Sequence, residues 1–241
     1  MINIFISLVA GAGIFFLGFY LGLHWAIGTV LGTLAGIGIF LLLAKLTMKK
    51  ITALVELSSM ELSKGQFERA IAILEKGFQY KYRHPFVASQ LNSQIGVTYY
   101  YKKDFKRAEE YLKKGISSHY IGQGILGILY MKKKETENMR KAFKAATRTS
   151  GKESIIWSLY AYCLNSLSQR EEAIQVLNKG LKRLPKDENI KANLLALQNK
   201  EKMKMRAYKD LWSVFMLEKT VVRQQPPRFA RGGSGRKFYR R

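Results

Sequence analysis

The sequence predicts an all-α chain in which a helical hairpin that spans a membrane is followed by an α-solenoid and a basic tail. Three observations lead to this prediction. Residues 1–44 contain no Asp, Glu, Lys or Arg, one helical pattern recurs between residues 51 and 185, and no acid follows Glu218. We expect four parts: a two-helix transmembrane hairpin (1–44), a solenoid with an end-capping helix (45–205), an apolar-aromatic segment (206–220) and a disordered basic tail (221–241).

The hairpin is predicted from the length of the charge-free stretch. As a single helix it would be about 65 Å long, against about 30 Å for the hydrocarbon core of a bilayer. Two passes, residues 2–20 and 26–43, with a tight turn from Gly22 to Trp25, fit better. A cleaved signal peptide is not expected, because the start is not basic and the apolar run is too long.

Glycines in the second pass predict close helix packing. Gly28, Gly32 and Gly36 are four residues apart and give one face of a membrane helix a smooth groove. This groove either packs the two halves of the hairpin together or serves self-association or docking to another membrane protein. A homo-oligomer is therefore one expectation.

The flanking charges predict the orientation. Lys45, Lys49 and Lys50 follow the second pass, whereas the turn contains no Lys or Arg. Because positive flanks stay in the cytoplasm, both chain ends and the solenoid are expected there, beneath a bacterial-type inner (plasma) membrane. The same lysines can pair with anionic lipid headgroups.

The solenoid is clearest in residues 95–115, which form two amphipathic helices back to back. Gly96 and Tyr99 share the inner face of the first helix, and Phe105, Ala108 and Leu112 follow at spacings of three and four in the second. The small side chains of Gly96 and Ala108 let the two backbones approach closely.

The same pattern recurs at intervals of about 31 to 38 residues. Three slots repeat: a small slot, a large apolar slot and a second small slot. They are occupied by Ala70, Ala108, Met139 and Ala173, by Leu74, Leu112, Phe143 and Leu177, and by Gly77, Gly115, Ala146 and Gly180. The third and fourth copies depart from the pattern with Thr136 and Arg170, where the first two have an aromatic residue.

This spacing resembles the tetratricopeptide repeat over residues 51–185. The resemblance implies a right-handed α-solenoid of about four helix pairs, at residues 51–75, 85–118, 120–150 and 153–185. A further helix, residues 188–205, is expected to cap the array. The resemblance also implies a protein-interaction scaffold rather than an enzyme.

In this family the inner helices line a concave groove that binds protein. The predicted lining of the groove is aromatic and apolar, which suits an extended or helical peptide with apolar anchors. The alternative is that the aromatic residues merely complete the packing between repeats. The predicted groove residues are Gln90, Val97, Tyr100, Tyr101, Ile128, Met131, Lys132, Tyr162 and Asn165.

Residues 208–217 are dense in apolar and aromatic side chains but too short to span a bilayer. They could lie in the lipid interface, pack on the end of the solenoid or occupy its groove. Packing on the end of the solenoid is the expected placement.

The tail from residue 221 is expected to be disordered and to bind anionic partners. A net charge of +24 favours acidic partners in general, and the nearby membrane favours lipid or acidic protein over nucleic acid. The basic residues that carry this prediction are Arg223, Arg228, Arg231, Arg236, Lys237, Arg240 and Arg241.

No catalytic pattern is recognisable in the sequence. The three histidines have no motif around them, and metal-ligand spacing, a phosphate-binding glycine loop and a nucleophile elbow are all missing. We therefore expect no enzyme, no cofactor and no metal site. The sequence favours a membrane-anchored scaffold or adaptor that supports assembly of a membrane complex; the alternative is a membrane-tethered nucleic-acid-binding protein that acts through its tail.

Overall fold

The computed structural model describes residues 2–22 and 24–217, and within them all regular structure is helical. The predicted all-α class is confirmed. Two short 3-10 helices, Lys76–Tyr80 and Met205–Tyr208, accompany the α-helices. The α-helices are α1 Ile2–Tyr20, α2 Trp25–Ser63, α3 Phe67–Glu75, α4 Val87–Tyr101, α5 Phe105–Lys113, α6 Tyr120–Lys132, α7 Thr136–Thr149, α8 Ser154–Ser166, α9 Arg170–Arg183, α10 Glu188–Gln198 and α11 Asp210–Ser213.

Helices α1 and α2 form the hairpin through their glycines. A Cβ atom on Gly32 would lie 2.7 Å from the carbonyl oxygen of Gly11, and one on Gly36 would lie 3.1 Å from that of Ser7. Gly28 lies against the ring of Phe15. In this chain the predicted glycine groove therefore holds the two halves of the hairpin together.

Helix α2 corrects the predicted boundary between hairpin and solenoid. It continues for 39 residues, about 58 Å, instead of ending at residue 43. Its second half packs against α3 and forms the first helix of the first repeat. Ile51 in this half is buried, and the Ser58 hydroxyl donates to the carbonyl of Ala70 on α3 at 3.0 Å. Residues 39–64 contain no Gly or Pro, so nothing in the sequence ends the helix at the lysines. The hairpin and the first repeat thus share one helix.

Four helix pairs follow one another: α2 with α3, α4 with α5, α6 with α7, and α8 with α9. Within each pair the turn uses one residue in the left-handed region, Gly65, Lys103, Lys134 or Ser168, with φ of 77°, 67°, 60° and 61°. The next amide then donates back into the preceding helix, as Asp104 N does to Tyr99 O at 3.0 Å. The same turn in every pair shows that the pairs are structural repeats.

Helix α10 begins a fifth pair that is not completed. It ends in the same turn, with Lys200 at φ 62° and Glu201 N donating to Ala196 O at 2.8 Å. The predicted helix 188–205 is therefore wrong beyond Gln198. After this turn the chain runs back along the array.

Close contacts within the pairs depend on small residues, as predicted. A Cβ on Gly96 would lie 2.6 Å from Cγ of Leu112. Between pairs, ion pairs join neighbouring helices: the Glu109 carboxylate contacts Lys133 at 2.5 Å, and that of Glu172 contacts Arg140 at 2.6 Å. The repeats therefore share one continuous apolar core, and ion pairs link neighbouring repeats beside it.

His119 predicts a pH dependence of stability. Its Nδ1 accepts from Gly122 N at 3.1 Å and caps α6, and burial lowers its pKa to about 4. The unfolded chain therefore binds a proton near pH 6.5 that the folded chain takes up only near pH 4. The contribution of neutral His119 to the free energy of unfolding is therefore fully present above pH 6.5. About 2–3 kcal/mol of this contribution should be lost as the pH falls to 4.

The measurement is chemical unfolding of the full-length protein in detergent across this range, compared with His119→Asn. Asparagine can still cap the helix but does not titrate. As the pH falls from 6.5 to 4, the unfolding free energy of the unmodified protein should fall relative to that of His119→Asn. Parallel pH curves would contradict the assignment.

Candidate protein-binding face

The inner helices α4, α6, α8 and α10 form one surface, here called the inner face. The C-terminal segment, residues 203–217, lies across it. At one end Lys204 N donates to Asn193 Oδ1 on α10 at 2.7 Å, and at the other the Tyr100 hydroxyl on α4 donates to the carbonyl of Phe215 at 2.6 Å. The segment therefore runs back from the last inner helix towards the second repeat.

The middle of the C-terminal segment is joined to α8 by a buried polar cluster. The hydroxyl of Tyr208 lies 2.8 Å from Ser158 Oγ, and Asn193 Nδ2 donates to the same Ser158 oxygen at 3.2 Å. Burial raises the pKa of Tyr208 and of Tyr100. Both phenols therefore stay protonated and can act as donors at neutral pH.

Two aromatic side chains anchor the C-terminal segment. Trp212 and Phe215 are 5% and 1% exposed. The ring of Trp212 meets that of Tyr162 edge to face at 5.1 Å. Phe215 lies directly on the backbone of α6, because a Cβ on Gly124 would be 2.8 Å from its Cε1 atom. Such buried aromatic anchors are the usual centre of a protein–peptide contact.

The contact nevertheless leaves a polar atom of the C-terminal segment unsatisfied. Within the described part of the chain, Trp212 Nε1 is buried without a hydrogen-bond partner. Such a group costs about 1–3 kcal/mol. The C-terminal segment is therefore an incomplete match to the inner face in its polar contacts.

The nine predicted groove residues lie in different surroundings. Tyr100 and Tyr162 contact the C-terminal segment, whereas Gln90, Tyr101, Met131 and Asn165 are partly buried. Lys132 is exposed, and its Nζ lies 5.0 Å from the ring centre of Phe105. Whether these residues bind a partner stays a prediction.

Three of the predicted groove residues do not present open surface, which corrects the expectation of a free groove. Val97, Tyr100 and Ile128 are 7%, 0% and 0% exposed. Val97 and Ile128 belong to the continuous core between the helices. Tyr100 is hydrogen-bonded to the backbone of Phe215 in the C-terminal segment.

Sequence reasoning missed Gly124, Ser158 and Asn193, which contact the C-terminal segment or organise its polar cluster. One signal was available: α6 contains Gly122, Gly124 and Gly127, more glycine than packing on one outer helix requires. The expectation that residues 208–217 pack on the end of the solenoid is corrected, because they lie along the inner face. The predicted basic tail from residue 221 lies outside the described residues.

Buried residues elsewhere in the array are structural. Cys163 is fully buried, and burial raises the pKa of its thiol. It therefore behaves as a small apolar side chain rather than a nucleophile.

By length and composition, α1 and α2 could each cross a membrane. Only 17% and 11% of their most apolar windows are buried in the structure. Their large apolar side chains, such as Phe5, Phe16 and Leu34, are instead exposed.

Comparison with known proteins supports the repeat. Residues 89–118, which include most of α4 and all of α5, match the family model of the tetratricopeptide repeat. The chain therefore contains a tetratricopeptide repeat, and the predicted family is confirmed on this segment. No curated protein matches the chain.

Two solved structures are similar in shape. One is described as "MamA RS-1 ArsTM double mutant", with 16% identity and a TM-score of 0.47 over 69% of this chain and 93% of that one. The other is MamA 41-end from Desulfovibrio magneticus RS-1, with 15% identity and a TM-score of 0.46 over 69% of this chain and 95% of that one.

Proposed function

We propose that this chain is a non-enzymatic scaffold, anchored in a bacterial-type inner membrane, that binds a segment of a partner protein on its inner face and supports assembly of a membrane complex. One observation carries the proposal: the inner face buries an apolar-aromatic segment of its own chain, anchored by Trp212 and Phe215. This contact supports binding of a partner segment of the same kind. Such a segment would have aromatic anchors, a backbone carbonyl that accepts from the Tyr100 hydroxyl and a backbone amide that donates to Asn193.

The membrane anchor is supported by the exposed apolar surface of α1 and the first half of α2. In water this surface would have to be covered, whereas in lipid it is the expected exterior. Lys45, Lys49 and Lys50 then favour a cytoplasmic solenoid. Since α2 continues into the first repeat, the inner face is held close to the membrane.

In this proposal the C-terminal segment is a resident occupant that a partner replaces. Replacement is favoured because Trp212 Nε1 is buried without a hydrogen-bond partner while the resident segment is bound, and release returns this group to water. The resident segment also keeps aromatic surface covered until a partner arrives.

The proposal is tested with a photo-crosslinking residue at Met131, which lies partly buried on α6, in full-length protein in native membranes. The Trp212→Ala/Phe215→Ala variant should release the resident segment, because losing a buried aromatic side chain costs about 3–5 kcal/mol. We expect crosslinking to one partner protein to rise at least severalfold over the unmodified chain. The crosslinked partner peptide, identified by mass spectrometry, should contain aromatic residues.

The matched blocked variant is Gly124→Leu, which places a side chain where the Phe215 ring lies. It should remove both the resident segment and the partner crosslink. A crosslinker at the exposed Lys144 on the outer helix α7 reports non-specific capture. Equal yields at Met131 in the open and blocked variants would overturn the proposal.

A further inference from the structure

Residues 81–86, Lys-Tyr-Arg-His-Pro-Phe, are here called the basic-aromatic loop, and they join the first repeat to the second. The loop lies against the end of the hairpin. The backbone amide of Ile2 donates to the carbonyl of Tyr82 at 2.7 Å, and the ring of His84 stacks on Phe40 of α2 at 6.5 Å with an angle of 14°.

These contacts define the level of the loop along the hairpin. Phe40 precedes Lys45, the first charged residue of the chain, by five residues, which is about 7 Å along a helix. The loop therefore reaches past Lys45 towards the charge-free part of α2. It lies level with the first turn of α1, which is where the hydrocarbon region would meet the headgroups.

The side chains of the loop suit that depth. Tyr82 and Phe86 are 61% and 56% exposed, and Lys81 and Arg83 are exposed beside them. The guanidinium of Arg83 lies 5.5 Å from the ring centre of Tyr80, and Nζ of Lys50 on α2 lies 5.6 Å from the same ring. Amphipathic rings interleaved with long basic side chains are typical of the membrane interface.

The positive charge around the loop has no acidic residues close to it in sequence. No acidic residue occurs before Glu56 or in residues 76–103. Lys45, Lys49 and Lys50 follow the charge-free part of α2, and Lys50 shares the ring of Tyr80 with Arg83 of the loop. A cluster of this composition attracts anionic groups. Each basic residue near a membrane surface strengthens attraction to anionic lipid about fivefold.

We propose that the basic-aromatic loop is a binding site for anionic phospholipid headgroups. Tyr82 and Phe86 insert into the interface, while Lys81 and Arg83, together with the lysines of α2, contact phosphate groups. The site rests on the proposed membrane anchor and adds a contact beyond the two spanning helices. With α2 continuous into the first repeat, this contact sets the angle between the solenoid and the membrane.

The test is the depth of a spin label in full-length protein reconstituted into nanodiscs, of phosphatidylcholine alone or mixed with phosphatidylglycerol. Labels are placed by Phe86→Cys in the loop, Leu31→Cys in the hairpin and Lys182→Cys on α9; the buried Cys163 does not react. In anionic nanodiscs the Phe86 label should collide with lipid-soluble oxygen in preference to water-soluble nickel. The Lys182 label should show the reverse.

Charge variants separate headgroup binding from simple proximity to the bilayer. Lys81→Gln/Arg83→Gln should lower the inserted fraction of the Phe86 label, relative to the withdrawn fraction, by about 25-fold in anionic nanodiscs. Lys141→Gln/Lys144→Gln on α7, with the same change in net charge, should leave it unchanged. Neutral nanodiscs should weaken insertion in the unmodified protein.

A Phe86 label as accessible to nickel as the Lys182 label, with the Leu31 label protected, would overturn the lipid site while the membrane anchor stands. If the Phe86 label inserts equally in neutral and anionic nanodiscs, the loop contacts the bilayer but the proposed binding of anionic headgroups is overturned. A Leu31 label accessible to nickel would overturn both the anchor and the site.

Discussion

The Gly32→Leu variant is expected to separate the two helices of the hairpin. A Cβ at this position would lie 2.7 Å from the backbone oxygen of Gly11 and 3.2 Å from Cβ of Phe15. No rotamer change can move a backbone oxygen, so the helices must part. We expect a cost of about 3 kcal/mol. The measurement is the distance distribution between spin labels at Leu8 and Leu34, which should broaden and shift outward.

The matched control is Gly38→Leu, because a Cβ at that position would have no atom within 4 Å other than those of its own stretch of helix. It introduces the same side chain into the same helix and should keep the narrow distance distribution. If Gly32→Leu instead dissolves oligomers while the distance is unchanged, then the glycine face joins copies of the chain and the hairpin packing is not its role.

The second large effect is expected for Gly127→Val in the solenoid. A Cβ on Gly127 would lie 2.7 Å from Cζ of Phe143. Phe143 cannot withdraw, because it is fully buried and stacks on Tyr160 at 4.9 Å with an angle of 11°. Overpacking at such a site should lower the free energy of unfolding by about 3 kcal/mol, measured by chemical denaturation of the full-length protein in detergent.

The smaller side chain in Phe143→Leu provides the test of this mechanism. Alone it loses the aromatic stack, but together with Gly127→Val it makes room for the new side chain. The double variant should therefore be more stable than the sum of the two single effects predicts, by about 1 kcal/mol or more. Simple additivity would show that the valine acts elsewhere, for instance on the helix backbone.

The existence and type of the main elements could be predicted from the sequence because they depend on short-range patterns. The charge-free run of 44 residues predicted α1 at the bounds it has, Ile2–Tyr20. The spacing of Gly96, Ala108 and Leu112 predicted a close helix pair, and the tetratricopeptide repeat at residues 89–118 confirms it. A helix period and a small residue at a crossing point are visible within one or two turns of sequence.

The contact between the C-terminal segment and the inner face could not be predicted from short-range patterns. Tyr100 and Phe215 are 115 residues apart and form a hydrogen bond. The sequence marked both as aromatic, but three surfaces could have covered residues 208–217. Which one does so depends on shape, above all on the space that Gly124 leaves on α6 for the Phe215 ring.

The all-α class, the apolar hairpin, the repeated helix pairs and the strongly basic charge could all be inferred from the order of the residues, because period, length and charge are visible within short stretches of chain. Three features became visible only in the folded chain: α2 runs from the hairpin into the first repeat, the C-terminal segment lies on the inner face, and the basic-aromatic loop lies against Phe40. Each of these depends on competition between distant segments for the same apolar surface, and packing of the folded chain resolves that competition.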